Sequence, residues 1–317
     1  MEPCRVWLRL DMPDVYLERL RDGFPECAFR RGPEAALDPA WLAGAEVVYA
    51  DEPIPDAVLA AMPALRWLHV TWSGAYRFLT PSVLARPVQV TTSRGLHAVT
   101  FAEFGLACIF ALAKKLPACF ANQQRHGWEA PLTETVAGKT LCVVGLGVVG
   151  TELARKAHAL GMQVLATKGT PGERPPFVAE LGPPEALQGF LARADFVVLC
   201  LPEAPAFHGY FGEAELRAMR PSAYLINLAP KRCVDEALLV RALKERWIAG
   251  AAVDALPREP LPPESELWDL PNALVTPRVA QAIEPPWALR LPILEENLRR
   301  FLAGAPLLNA IDKVRGH

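Results

Sequence analysis

The sequence has no apolar run of the roughly 18 residues that would cross a bilayer, so no membrane span is expected. It also has little excess charge. Lys and Arg number 33 against 35 Asp and Glu, a formal net charge of −2, which argues against a protein built to coat nucleic acid or an anionic membrane. No Cys-x-x-Cys pair occurs. Seven widely spaced cysteines (4, 27, 108, 119, 142, 200, 233) include several in apolar runs such as Leu141–Val144 and Val198–Leu201. They read as free buried thiols of a reducing cytoplasm rather than as a disulfide frame, and no metal site is expected. The opening segment Met1–Trp7 has no basic stretch followed by an apolar one, so no secretory signal is expected and a cytoplasmic location follows. Tandem repeats and low-complexity tracts are missing too.

What is present suits a folded enzyme-sized chain. At roughly 150 residues per domain, 317 residues predict about two domains. Hydrophobic residues at 51% supply ample core, and the 31 prolines are scattered, as loop punctuation is.

Short apolar strands alternate with helical stretches. Arg5–Leu10, Glu46–Ala50 and Leu65–Val70 read as strands, with helices at Asp14–Arg21 and Pro55–Met62. Thr100–Leu116 reads as one long buried crossover helix whose apolar surface could also join two copies. The pattern then restarts, with strands at Thr140–Val144, Gln163–Ala166, Phe196–Leu201, Ala223–Asn227, Gly250–Asp254 and Ala273–Thr276. Helices are expected at Val149–Leu160, Glu213–Met219, Asp235–Glu245 and Glu284–Leu302. The fold class is therefore α/β, with two Rossmann-like doubly wound domains and parallel sheets. The larger, 98–281, is inserted into the smaller, 1–97 with 282–317, because the final helical tail is too short to stand alone. A ligand is expected in a cleft between them, at the carboxyl ends of the strands.

Gly145-Leu146-Gly147-Val148-Val149-Gly150 fits Gly-x-Gly-x-x-Gly, directly after one strand and at the start of a helix. This is the context that a dinucleotide pyrophosphate needs, with a tight turn at Gly145, backbone approach at Gly147 and close helix packing at Gly150. A bare strand-helix turn or a methyltransferase would share the motif. The next strand ends in Thr167-Lys168 where an NAD site usually has a carboxylate for the ribose hydroxyl. A cation beside the hydroxyls of Thr167 and Thr170 suits a 2′-phosphate, so the cofactor is NADP or NAD, with NADP favoured.

Read in order, the segments resemble the D-isomer-specific 2-hydroxyacid dehydrogenase family, of glyoxylate/hydroxypyruvate reductase type, over essentially the whole chain. The resemblance rests on Val70–Ala75, Ser93–Ala98, Ala102–Phe104, Val198–Pro202, Ile226-Asn227 with Val234–Glu236, Gly250–Asp254, Glu259–Leu261, Ser265–Trp268 and Thr276-Pro277. It implies a flavodoxin-like substrate (lid) domain, a homodimer and a small carboxylate substrate. It also implies a substrate loop at Trp72, Ser73, Gly74 and Ala75, an adenosine contact at Leu201 and Pro202, and a nicotinamide contact at Asp254.

The family uses an Arg to grip the acid, a His to exchange the proton and a Glu to support that His. Here Glu259 keeps the Glu position. The Arg-Gly pair falls on Pro230-Lys231, and the His position falls on Arg278. Arginine stays protonated near neutral pH and cannot shuttle a proton. Two readings follow. In one, the site is rebuilt for reduction of a 2-oxo acid or related imine. Arg278 then grips the carboxylate and pairs with Glu259, and His97, Lys231 or water supplies the proton. In the other, the chain binds NAD(P) as a catalytically silent sensor, regulatory or partner protein.

Overall fold

The computed structural model describes residues 2–72, 74–170, 172–202, 204–229, 232–282 and 286–313. The chain divides into two compact units, Met1–Leu96 with Ile283–His317, and His97–Ala282.

The first unit alternates β1 (Cys4–Arg9), α1 (Asp14–Gly23), β2 (Cys27–Arg31), α2 (Pro39–Ala43), β3 (Ala45–Ala50), α3 (Asp56–Ala60), β4 (Trp67–Val70), α4 (Pro81–Leu84) and β5 (Gln89–Thr92). All pairings are parallel, in the order β2-β1-β3-β4-β5. Parallel strands are covered on both faces, which is why β1 carries a continuous apolar run. Val6 and Leu8 face one core with Trp67, while Trp7 faces the other with Leu68 and Val70.

The second unit opens with α5 (Ala98–Ala113) and α6 (Leu116–Gln124). Then come β6 (Thr140–Val144), α7 (Val148–Ala159), β7 (Gln163–Thr167), β8 (Glu180–Gly182), α8 (Leu187–Leu191), β9 (Phe196–Leu199) and α9 (Glu213–Ala218). It closes with β10 (Tyr224–Asn227), α10 (Glu236–Lys244), β11 (Gly250–Val253) and β12 (Ala273–Val275). Its seven strands are parallel, in the order β12-β11-β10-β9-β6-β7-β8. Local signals set the ends. The Asp235 side chain, for example, accepts the Leu238 N–H at 2.9 Å to cap α10, and Arg241 and Lys244 lie in its last turn. The last helix, α11 (Pro286–Leu302), belongs to the first unit, where Leu291, Leu294 and Leu298 join the core of Val6 and Leu8. Arg19 grips Glu295 of α11 through two bonds of 2.7 and 2.9 Å.

The architecture matches the sequence expectation, with three strands and the three short helices α2, α4 and α8 added and one helix divided. β2, β5 and β8 were not anticipated, because each is short and carries polar residues. The expected helix Thr100–Leu116 instead ends at Ala113. Lys115 takes a left-handed φ of 54° and α6 starts afresh, with Pro117 in its first turn. A residue close before proline is poorly placed to continue a helix. Among the described residues no single helix is long and apolar enough to cross a membrane, and no three His, Cys, Asp or Glu are grouped to hold a metal. Cys108, Cys142 and Cys233 are buried, whereas Cys4, Cys27, Cys119 and Cys200 are half-buried.

One buried polar chain links β4 to β5, the edge strand beside it. Trp67 Nε1–H donates to Thr91 Oγ1 at 2.8 Å, and His69 lies between Thr91 Oγ1 (2.8 Å) and Ser93 Oγ (3.1 Å). Burial pushes the His69 pKa down to about 3, so the ring is neutral in the fold. The unfolded ring titrates near 6.5, so between those values only the unfolded chain binds the proton, and stability falls as pH is lowered. From pH 7 to 4.5 this one group removes about 2 to 3 kcal/mol. Urea unfolding at both pH values should show that loss in the wild type. His69→Asn should be less stable at pH 7 but lack this step.

Candidate functional site

The glycine turn leaves β6 at Val144 and enters α7 at Val148. Gly145 has φ +98°, and a Cβ there would meet the Cys200 carbonyl oxygen at 2.9 Å. A Cβ on Gly150 would collide with the Gly145 carbonyl oxygen. These two contacts explain why the motif needs glycine at both ends. Leu146 is buried, and its N–H donates to the Thr167 carbonyl at 2.8 Å, which ties the turn to the end of β7. Gly147 differs. It is exposed, and a Cβ there would find no atom within 4 Å. Open space therefore faces the start of α7, where Val148 and Val149 carry the first amides of the helix. This is the shape and polarity that a pyrophosphate requires, so the residues fit a dinucleotide.

At the end of β7, Thr167 is only 3% exposed, so its part is to hold the strand end rather than to offer a hydroxyl at the surface. Lys168 is half-buried, its N–H bonded to the Gly182 carbonyl at 3.0 Å. No carboxylate pairs with it among the described residues. Leu201 and Pro202 follow β9 beside the turn, and the Leu201 side chain lies close to Gly145.

Asp254 follows β11 and is 5% exposed. Its carboxylate accepts three bonds, from Thr276 Oγ1 (2.7 Å), Val279 N–H (2.7 Å) and Ala280 N–H (3.1 Å). The Asp254 carbonyl accepts the Arg278 N–H at 3.0 Å. The acid thus clamps the turn that carries Arg278, which adopts a left-handed φ of 56°. Sequence reasoning missed this role, and the signal for it was Thr276, placed to donate a hydroxyl across the turn.

Arg278 Nε–H donates to Glu259 Oε2 at 2.7 Å, and Glu259 Oε1 accepts the Leu256 N–H at 3.1 Å. The ion pair is partly exposed, and the two terminal amino groups of Arg278 have no hydrogen-bond partner among the described residues. A family model for the NAD-binding domain of D-isomer-specific 2-hydroxyacid dehydrogenases matches residues 106–280, from within α5 to this arginine turn. The chain belongs to the D-isomer-specific 2-hydroxyacid dehydrogenase family.

Relatives in the same family support the assignment. A glyoxylate reductase of Korarchaeum cryptofilum is 32% identical over 260 residues, 80% of this chain and 78% of that protein. A glycerate dehydrogenase of Methylorubrum extorquens is 31% identical over 279 residues, 84% of this chain and 85% of that one. Among solved structures, a D-isomer-specific 2-hydroxyacid dehydrogenase of Xanthobacter autotrophicus, in complex with NADPH and MES, superposes with a TM-score of 0.87 at 29% identity. The match covers 100% of both chains. An NADPH-dependent glyoxylate/hydroxypyruvate reductase of Sinorhizobium meliloti, in complex with NADP and sulfate, gives 0.84 at 26% identity over 99% of this chain and 100% of that one. The protein is thus an NAD(P)-dependent oxidoreductase of 2-hydroxyacid dehydrogenase type, with the family's two-domain α/β fold.

The 2-hydroxyacid dehydrogenase pattern places further residues as follows. His97 stands immediately before α5, its carbonyl accepting the Thr100 hydroxyl at 3.0 Å and its ring 6.3 Å from that of Phe101. Trp72, Gly74 and Ala75 occupy the loop after β4, where the Trp72 indole N–H donates to the Asp51 carbonyl at 2.6 Å. Ser73, Pro230 and Lys231 lie outside the described residues.

Proposed function

We propose that the protein reduces a small 2-oxo acid, or a related imine, with an altered catalytic set, uses NADPH in preference to NADH, and works as a cytoplasmic homodimer. The observation that carries this reading is the 2.7 Å ion pair between Arg278 and Glu259, held where the family keeps a histidine and its glutamate. When bound, the nicotinamide cofactor supplies the hydride. Glu259 fixes the guanidinium through Nε, which turns the two terminal amino groups toward a carboxylate or a developing oxyanion. The arginine keeps its own protons. Water, His97 or Lys231 therefore delivers the proton to the product oxygen. Residues 98–281 form the dinucleotide-binding domain in this reading, with Gly145 to Gly150, Lys168, Leu201, Pro202 and Asp254 along the cofactor. Residues 1–97 and 282–317 form the substrate domain, and the resemblance assigns Trp72, Ser73, Gly74 and Ala75 to substrate binding.

Steady-state assays with glyoxylate, hydroxypyruvate, pyruvate and longer 2-oxo acids test the reading, with turnover of at least one acid expected. The same ion pair favours a second reading, a dinucleotide binder without the reaction. Tight NADPH binding with no turnover of any acid would establish that one instead.

Lys168 supports the NADPH preference, since it offers a cation where a ribose carboxylate partner is missing. A charged hydrogen bond of about 1.5–3 kcal/mol predicts that Lys168→Ala weakens NADPH binding about ten- to a hundredfold and leaves NADH within a few-fold. Fluorescence titration of both cofactors checks this, and tighter wild-type binding of NADH than of NADPH would contradict it.

The homodimer reading rests on the second unit. Leu106 and Phe110 of α5 and Leu160 after α7 border an open groove, and Phe120, Trp128 and Leu132 are largely exposed. Exposed apolar area of this extent commonly marks an interface. Light scattering at micromolar concentration should return twice the chain mass of 34.7 kDa, and a strictly monomeric particle would count against it.

A further inference from the structure

Arg290 lies in the second turn of α11 with its guanidinium over two indole rings. It is 5.8 Å from the centroid of Trp72 and 5.5 Å from that of Trp287. The group is half-buried, and its Nε is enclosed without a hydrogen-bond acceptor. No carboxylate lies within ion-pair distance of it among the described residues. Burial lowers its pKa from the usual arginine value, opposed only by the more distant charge of Asp51. Other arginines of the first unit are different. Arg9, Arg19 and Arg66 each hold a glutamate, while Arg94 is exposed to water. A partly buried guanidinium that cannot lose its charge carries an unmet desolvation cost, and an incoming anion would remove it.

The position of Arg290 in the fold points the same way. Asp51 follows β3 and Trp72 follows β4, so the guanidinium stands at the carboxyl end of the five-stranded sheet. In the order β2-β1-β3-β4-β5 the winding reverses between β1 and β3. Doubly wound sheets take their ligands outside the carboxyl ends near such a reversal, and β3, which leads into Asp51, borders this one while β4, which leads into Trp72, lies one strand further. Trp72 is 43% exposed, yet its indole is pinned by the bond to Asp51, so it forms a fixed wall beside the cation.

We propose that Arg290, walled by Trp72, is a carboxylate-binding residue of the first unit and selects acidic substrates for the reaction proposed above. A planar guanidinium suits a carboxylate because it can present two parallel N–H donors. The inference deepens the reductase reading and rests on it for the word substrate, but the anion site is testable by itself.

The test is calorimetric titration of the NADPH-loaded protein with oxalate, for wild type, Arg290→Gln and Arg290→Lys. Arg290→Gln should weaken oxalate binding at least tenfold, leave NADPH affinity within twofold and not lower the melting temperature. Arg290→Lys should recover part of the loss, because it restores charge without the fork. In turnover, Arg290→Gln should raise KM for the acid and change kcat little. If the oxalate effect holds while the wild type turns over no acid, the anion site stands and the reductase reading fails. Should turnover occur while Arg290→Gln leaves both oxalate affinity and KM unchanged, the reductase reading stands and this proposal is overturned. Absence of oxalate binding to the wild type overturns it as well.

Discussion

Replacing Gly147 with valine is expected to leave the fold intact and to weaken NADPH binding by about two orders of magnitude, close to 3 kcal/mol. The backbone there has φ −85° and ψ −160°, extended values open to any residue, and no protein atom lies within 4 Å of the added Cβ. The melting temperature should therefore stay within a few degrees. The space that a valine fills is the approach to the first amides of α7, where a pyrophosphate would sit. Gly150→Ala is the matched control. Its Cβ would run into the Gly145 carbonyl, so that variant should lose both stability and binding. Fluorescence titration and thermal melts separate the two behaviours. A Gly147→Val protein that binds NADPH normally would remove the dinucleotide turn from the argument.

Arg278→His is expected to lower kcat/KM for the preferred acid by about 10²–10³, the usual scale for losing one charge-stabilising group. Histidine would recreate the residue type of the family at that position, but not the partner arginine, because position 230 is proline. Arg278→Lys should also be poor, since lysine has no planar fork to serve Glu259 and an acid together. The triple variant Arg278→His, Pro230→Arg, Lys231→Gly separates the two functional readings. Activity that appears only in the triple variant, with none in the wild type, marks a decayed dehydrogenase. Activity present in the wild type and lost at Arg278→His marks a rebuilt one.

The alternation of strands and helices was legible because each parallel strand is buried on both faces and reads as an apolar run, as at Val6–Leu8 and Val197–Leu199. The glycine turn was legible because β6 and α7 flank it without a gap. Three of the four edge strands, β2, β5 and β8, escaped notice for the opposite reason. β2 exposes Arg30 and Arg31, and β8 is three residues long with an exposed Glu180, so neither has a hydrophobic period. The break at Lys115 was hidden because Ala, Leu and Phe continue across it in composition while the backbone turns. At the site, the exchange at 278 could be read directly, and its pairing with Glu259 followed from opposite charge. Two of the three bonds of the Asp254 carboxylate could not be read, because they run from the main-chain N–H groups of Val279 and Ala280, which every residue but proline has; only the Thr276 hydroxyl left a mark in the sequence. Arg290 left no mark either, since a lone arginine on an amphipathic helix normally reads as a solvated charge.

The clamp at Asp254 has a consequence for how this enzyme class can diverge. The turn at residue 278 is positioned by main-chain bonds and by its neighbours Thr276, Val279 and Ala280, none of which involves the side chain at 278. Histidine tolerates left-handed backbone better than most residues, and arginine there accepts only a modest strain. The scaffold and the reactive group are thus separable modules. One codon can swap the chemistry displayed on this pedestal while the pedestal itself stays in place.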